Sequence, residues 1–220
     1  MKNKVLVVVA HADDEVLGCG ATINKHINCG DEVFILVLTD STSAQGKDVE
    51  NRHQEFLKAM NILGVEKFKK LDFKDNRLDG HELIDIIQKI ESVKKEFCPN
   101  IVYTHSSNDL NIDHQITNKA VLTAFRALPE NLTTHIFSFD IPSSIEFQSS
   151  QYQQTRKNYF NSIDSEDLKI KIKAMCAYES ELHAFPHPRS IENLEILAKT
   201  EGTKCGKLLA QSFYIERIIN

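Results

Sequence analysis

Residues 5–15 read VLVVVAHADDE, an apolar run that passes directly into one imidazole and three carboxylates. A continuous run of β-branched residues is typical of a strand that is buried on both faces, as in a parallel sheet. Open α/β folds bind their ligands at the carboxyl ends of such strands. The sequence therefore predicts a functional site immediately after the first strand, at His11, Asp13, Asp14 and Glu15.

Strands and helices alternate along most of the chain. This rhythm predicts an α/β fold, a Rossmann-like three-layer sandwich with a mostly parallel central sheet. Apolar periodicity and glycine or proline stops give the boundaries. The predicted strands cover residues 4–10, 32–39, 68–73, 101–104, 134–141 and 213–219. The predicted helices cover residues 16–28, 51–63, 82–97, 113–125, 164–180 and 190–209, the last with interruptions near Gly202 and Gly206.

The chain has 220 residues and contains neither an internal repeat nor a linker, so we expect one domain over residues 1–220. Residues 143–162 are rich in Ser, Gln, Asn and Tyr and show no clear period. Such a stretch predicts a loop that lies over the site and contacts the substrate. The alternative is an exposed connection without a function of its own.

Charge and cysteine content narrow the class of protein. The 26 basic and 31 acidic residues give a net charge of −5 and are spread evenly, so the basic stripe of a nucleic-acid-binding protein is missing. The apolar run at the N-terminus is too short for a membrane span, and we expect no integral membrane segment. Five cysteines without a CxxC pair indicate a reduced, cytoplasmic location.

His11 and Asp14 are three residues apart at the predicted corner between strand and helix, which places both side chains on one side of the first turn. Zinc accepts imidazole nitrogen and carboxylate oxygen in such a site. Asp13 points in a different direction and is free for acid–base work. The alternative is that Asp13, Asp14 and Glu15 only cap the helix and interact with its dipole.

A second polar cluster, residues 105–114, follows the strand at 101–104 and should lie at the same edge of a parallel sheet. Its last residue, His114, completes a His-Asp-His set, although Asp113 could also be a helix cap and His114 a surface residue. Two histidines and one carboxylate fit catalytic zinc and also a non-haem iron(II) centre. The spare Asp13 favours hydrolysis, because a carboxylate beside the metal can take a proton from water.

Three further segments are weaker candidates. His187 lies between two prolines, which hold it rigidly, so that it could donate a proton or stabilise an oxyanion. The alternative is that it belongs to a surface turn before Ser190, which caps the following helix. Arg52 either binds a polar substrate or pairs with an acid on a solvated helix face. Residues 75–77 (DNR) predict a turn.

Residues 10–15 (AHADDE) resemble the AHPDDE motif of the LmbE-like, PIG-L-type de-N-acetylases, and the resemblance extends over nearly the whole chain. Further matching segments are Leu17-Gly18-Cys19-Gly20-Ala21, Arg52 with Glu55 and Leu63-Gly64-Val65, residues 109–114 (DLNIDH), residues 187–190 (HPRS), and Gly202, Gly206, Ala210 and Phe213.

The resemblance implies a zinc-dependent enzyme that removes an acetyl group from the amine of N-acetylglucosamine units. It implies that His11, Asp14 and His114 are the zinc ligands, with iron(II) as the alternative metal. It also implies that Asp13 is the general base that activates water and that Arg52 contacts a small-molecule amino-sugar substrate. Members of the family are often oligomeric, so the resemblance leaves a homo-oligomer open.

Two positions depart from the family pattern. Ala12 replaces the usual proline, which should loosen the turn slightly. Asn111 stands where many relatives have a histidine that stabilises the tetrahedral intermediate. An amide can donate a hydrogen bond but cannot act as an acid. We therefore expect either Asn111 or His187 to stabilise the oxyanion.

The expected function is removal of the N-acetyl group from an amino sugar in a nucleotide sugar, glycolipid or glycoside. The nearest alternative is hydrolysis of another amide, such as an N-formyl amino sugar or a sugar-thiol conjugate. A Rossmann-like nucleotide-binding module with a structural metal is a different class, but residues 18–20 (GCG) fall inside the first predicted helix rather than before it. A non-haem iron oxygenase is a third alternative function.

Overall fold

The structure is a computed structural model that describes residues 2–41, 49–128, 134–149 and 156–219. Over these residues the elements alternate as the sequence predicts, and most boundaries agree to within two residues. The strands are β1 Lys4–Val9, β2 Glu32–Thr39, β3 Lys67–Phe73, β4 Ile101–His105, β5 His135–Phe139, β6 Tyr159–Ser162 and β7 Ala210–Arg217. The helices are α1 Asp14–Asn28, α2 Val49–Leu63, α3 Leu83–Phe97, α4 Ile112–Ala124, α5 Ser165–Met175 and α6 Ile191–Cys205.

The central sheet has the strand order β3-β2-β1-β4-β5-β7-β6. The first five strands are parallel, whereas β7 runs antiparallel to both β5 and β6. This confirms the predicted α/β fold with a mostly parallel sheet. The strand order reverses direction between β1 and β4, and the connections after these two strands leave towards opposite faces. The crevice between them is the place where open α/β sheets bind ligands.

The first strand is buried on both faces, which explains its continuous apolar sequence. Val5, Val7 and Val9 pack in one cluster with residues of α1, α2 and α5. Leu6 and Val8 point to the opposite face and pack with residues of α3 and α4. All five side chains are completely buried. The two clusters are the contacts between the sheet and the helices on its two faces, which gives the predicted three layers.

The sequence prediction fails at four places in the C-terminal third, one of which is the helix predicted over 190–209, which ends at Cys205. The loop predicted over residues 143–162 is wrong at its end, because Tyr159–Ser162 forms β6 and pairs with β7. Its four residues are all half-buried, so the strand carries no alternating apolar signal. Residues 150–155 of that stretch lie outside the described residues. The predicted helix over 164–180 ends at Met175, and a short 3₁₀ turn follows at Glu179–Glu181. The last strand begins at Ala210, three residues before its predicted start.

Across the described ranges, we find no helix with both the length and the apolar content needed to cross a membrane. The longest helices have 15 residues and carry charged side chains.

Gly202 allows the end of α6 to pack against the turn that follows it. A Cβ atom at this position would lie 2.6 Å from the carbonyl oxygen of Lys207 and 2.8 Å from that of Leu208. We expect Gly202→Ala to lower the free energy of unfolding by about 1–3 kcal/mol, because backbone must move to relieve the overlap. Gly80→Ala is the matched control, since nothing lies within 4 Å of its added methyl group. Equal denaturant midpoints for the two variants would contradict this account.

Lys171 of α5 is buried against α1, where its Nζ donates a hydrogen bond to the carbonyl of Leu17 at 2.7 Å. Burial lowers the pKa of Lys171 to about 8. In the unfolded chain a lysine has a pKa of about 10.4, so between these two values the unfolded state binds more protons and stability rises with pH.

We therefore expect the wild type to gain about 3 kcal/mol relative to Lys171→Met between pH 7.5 and pH 10.5. Urea denaturation at several pH values measures the difference. A difference in unfolding free energy that stays constant across this range would contradict the lowered pKa of Lys171.

Candidate metal centre and active site

The two polar clusters meet at the carboxyl ends of β1 and β4, as the parallel pairing of these strands requires. His105 ends β4, and its Nε2 accepts a hydrogen bond from the backbone N–H of Ala10 at 2.9 Å. The His105 ring stacks on the ring of His114, with centroids 4.0 Å apart and planes 9° from parallel. The first residues after β1 therefore lie directly beside the start of α4.

Three donor atoms form a nearly equilateral triangle at this contact. Nδ1 of His11 lies 3.2 Å from Nε2 of His114, and Oδ2 of Asp14 lies 3.3 Å from each of them. In a tetrahedral zinc site with ligand bonds of about 2.0–2.1 Å, donor atoms are about 3.3 Å apart. These separations fit a small divalent cation held by two imidazoles and one carboxylate, with one tetrahedral position left open.

The surroundings of the triangle favour positive charge. Burial opposes protonation of His114, but Asp14 and Asp109 overcome it and raise the pKa of His114 to about 9. Burial also opposes ionisation of Asp14, but His114 and His105 hold its pKa well below the usual range. The other oxygen of Asp14, Oδ1, is buried and has no hydrogen-bond partner among the described residues. A cation at this place would satisfy an otherwise costly buried carboxylate.

Both candidate imidazole ligands contact carboxylates through their second ring nitrogen. Nε2 of His11 lies 3.1 Å from Asp75 and 3.1 Å from Asp113, and Nδ1 of His114 lies 3.0 Å from Asp109. Such contacts orient metal-binding histidines and select their tautomer. Two overlapping sets of described residues could also surround a cation: His105 with Asp109 and His114, and His11 with Asp75 and Asp113.

The sequence left open that Asp113 caps α4, and the structure shows that it does not. The cap is Asn111, whose Oδ1 accepts the N–H of Asp113 at 2.8 Å. Nδ2 of Asn111 donates to Asn76 at 3.2 Å. The same alternative made His114 a surface residue, but His114 is almost completely buried.

Asp13 has an unusual backbone conformation, with φ at 122°. It precedes α1, but its side chain makes no capping hydrogen bond, so a capping role for this residue is excluded. Its N–H donates to the buried Glu15 at 3.1 Å, and Glu15 in turn accepts the hydroxyl of Tyr178 at 2.5 Å. Backbone strain of this kind costs of order 1–3 kcal/mol and is concentrated at functional sites.

Two arginines lie beside the Asp13 carboxylate. Arg189 Nη1 is 3.1 Å and Arg52 Nη2 is 3.4 Å from its Oδ2. Burial raises the pKa of Asp13 to about 6, although Arg189 and Arg52 act in the opposite direction. Arg52 is buried, donates to the carbonyl of Ala12 at 2.7 Å and pairs with Glu55 at 3.3 Å. It is therefore not part of a solvated helix face.

An open cavity of about 120 Å³ lies at this point, and every described residue that lines it is polar. Arg52 and Asn111, both predicted as site residues, contribute to it together with His11 and Asp13. His187 is not among the described residues that line it. Its ring packs against His183, with centroids 4.1 Å apart, and its Nδ1 accepts the N–H of Arg189. The described residues that line it are His11, Asp13, Ser41, Arg52, Asp75, Asn76, Asn111, Glu181 and Arg189.

Sequence reasoning missed five residues of this cavity, including Arg189, which was noted only as part of the family-like segment 187–190. Asp75 and Asn76 were predicted only as a turn, although they follow β3 and so lie at the same edge of the sheet as the other clusters. Ser41 follows β2 in the same way. Their position after parallel strands was the signal that could have identified all three. Glu181 carries no comparable signal, because it lies on a short 3₁₀ turn after α5 and not after a parallel strand; it contacts both arginines of the site.

Comparison with known proteins extends these observations. Residues 6–125 match the family model described as PIG-L, GlcNAc-PI de-N-acetylase. The matched segment includes both polar clusters and all three corners of the donor triangle.

Two curated relatives and one solved structure agree with this match. The uncharacterized deacetylase YaiS of Escherichia coli (strain K12) is 30% identical over 72% of this chain and 85% of its own length. The diacetylchitobiose deacetylase of Thermococcus kodakarensis is 28% identical over 81% of this chain and 70% of its own length.

The crystal structure of the conserved protein TT1542 from Thermus thermophilus superimposes with a TM-score of 0.80 at 21% identity, covering 99% of this chain and 96% of that protein. This likeness concerns the fold. The match over residues 6–125 and the Escherichia coli relative show that the chain belongs to the PIG-L (LmbE-like) family of de-N-acetylases, enzymes that hydrolyse an amide bond.

Proposed function

We propose that this chain is a zinc-dependent hydrolase that removes the acetyl group from an N-acetylated amino sugar in a nucleotide sugar, glycolipid or glycoside. The observation that carries the proposal is the triangle of donor atoms from His11, Asp14 and His114, which has the dimensions of a zinc site and lies beside Asp13. In this proposal these three residues hold the ion. Zinc is preferred over iron(II) because amide hydrolysis needs no redox change.

The chemistry is divided among the residues of the cavity. A zinc ion at the site would polarise the amide carbonyl and acidify water. Asp13 accepts the proton of the attacking water on a carboxylate oxygen and returns it to the leaving amine nitrogen. Asn111 lines the cavity and has an amide N–H that can donate to the developing oxyanion. His187, outside the described lining, stays a prediction for the proton donor.

The substrate assignment rests on the polar character of the cavity and on the relatives. The polar side chains of the lining residues that the structure describes suit a hydroxyl-rich sugar ring rather than a hydrocarbon. The family description and the Thermococcus relative both name N-acetylglucosamine-type compounds. We propose that Arg52 contacts the sugar. The described part of residues 143–162 supports a substrate loop, because Ser143 accepts a hydrogen bond from Arg189 at the cavity wall.

Metal removal tests the first part of the proposal. We expect dialysis against a chelator to abolish release of acetate from diacetylchitobiose, and one equivalent of zinc per chain to restore it. His114→Gln should bind zinc on the order of 100-fold more weakly, because one corner of the triangle is lost. His53→Gln is the matched control, since His53 lies on α2 outside the cavity lining. Restoration by iron(II) but not by zinc would contradict the choice of metal.

Asp13→Asn tests the general base. We expect this variant to retain zinc and to lose about 10²–10⁴-fold in kcat, because an amide cannot accept the proton from water. The control is Asp79→Asn, which removes an exposed carboxylate from the 3₁₀ turn before α3. Near wild-type turnover by Asp13→Asn would show that another group takes the proton. Including N-formyl amino sugars and nucleotide sugars in the same assay separates the acetyl proposal from its alternatives.

A further inference from the structure

Two arginines contact the same oxygen atom of Asp13 and, among the described residues, none forms a hydrogen bond with the other oxygen. Arg189 and Arg52 both approach Oδ2, at 3.1 and 3.4 Å. No described residue forms a hydrogen bond with Oδ1, although the residue lines the cavity. The two carboxylate oxygens are therefore not equivalent: one is bound to the protein, and the other is available to a molecule in the cavity.

Arg189 is itself held from several directions. Its Nε donates to the hydroxyl of Ser143 at 2.8 Å and to the carbonyl of Pro142 at 3.3 Å. Its Nη1, which contacts Asp13, also donates to Glu181 at 2.9 Å. The planar guanidinium is thus fixed by the segment after β5 and by the turn after α5. A fixed group of this kind can impose a direction on the carboxylate that it binds.

Glu181 allows two positive groups to share one carboxylate oxygen. Its Oε1 lies 3.3 Å from Arg52, and its Oε2 lies 2.9 Å from Arg189. The bridging carboxylate offsets the repulsion between the guanidinium groups and fixes their separation. Arg189 and Glu181 both lie outside residues 6–125, the part that matches the family model.

We propose that Arg189 is a positioning residue for the general base. By binding Oδ2 of Asp13, Arg189 directs Oδ1 towards the water and the amide nitrogen between which the proton moves. This inference rests on the proposed function of Asp13. A constraint is needed because the Asp13 side chain has no capping hydrogen bond, and a general base must lie within hydrogen-bond distance of the proton that it takes.

Arg189→Lys is the first test. Lysine keeps the positive charge, but its single nitrogen cannot bind Asp13, Ser143 and Glu181 in the geometry of a guanidinium. We expect kcat to fall on the order of 100-fold, as for a reacting group displaced by about 1 Å, with KM within about threefold of wild type. Zinc content should not change. Arg126→Lys, an exposed arginine after α4, is the matched control. A raised KM with unchanged kcat would instead make Arg189 a substrate ligand and overturn the proposal.

A double-mutant cycle shows whether Arg189 acts through Asp13. In the Asp13→Asn background, Arg189→Lys should lower kcat by less than about threefold, because the group that it positions is already inactive. A full additional loss would overturn the proposal. Glu181→Gln provides a milder perturbation should Arg189→Lys fold poorly. It should show a smaller fall in kcat, again with KM nearly unchanged, and a normal kcat would count against the proposal.

A crystal structure of Arg189→Lys separates this inference from the proposed function. The Asp13 carboxylate should turn away from the position that it has beside Arg189 in the wild type. An unmoved carboxylate overturns the positioning role whatever the activity. A moved carboxylate in a protein whose wild type, loaded with zinc, hydrolyses none of the tested amides would support the positioning role and refute the proposed function.

Discussion

The parallel pairing of β1 with β4 is the constraint on which the site depends. These neighbouring strands belong to distant parts of the chain, and their carboxyl ends place His11 and Asp14 against His105 and His114. The Asp14 carboxylate, which lies within 3.4 Å of three imidazoles, is the centre of the arrangement. Three histidines and a carboxylate that are buried together are costly unless their charges balance, and a cation at the donor triangle would complete that balance.

Much of this arrangement could be predicted because it follows from strand order. A buried apolar strand followed by polar residues identifies one side of a crevice, and a second such strand identifies the other. The predicted cluster at His11, Asp14 and His114 is found as a compact set for this reason. The periodicity of α2 and α3 is equally clear, since each of these helices packs one apolar face against the sheet.

The C-terminal third was harder to predict because its contacts do not follow from local pattern. The strand β6 is half-buried throughout and has no apolar alternation, so its identity depends on pairing with β7. Arg189 and Glu181 are ordinary charged residues until the fold brings them to Asp13. Tyr178 likewise becomes significant only through its hydroxyl contact with Glu15, 163 residues away in sequence. Such contacts can be recognised only in the three-dimensional structure, whereas the candidate metal ligands lie in two short segments of the sequence.

The separation of His11 from His114 by 103 residues has a consequence for assembly of the protein. Closing so long a loop is entropically unfavourable and is repaid only when β1 and β4 have paired. A chain on the ribosome, or one halted before β4 docks, therefore lacks the complete triangle of donor atoms. In the proposed function, an ion held by these residues would bind the folded chain in preference to the unfolded one and would stabilise it by mass action, so metal added during refolding would raise the yield of folded protein.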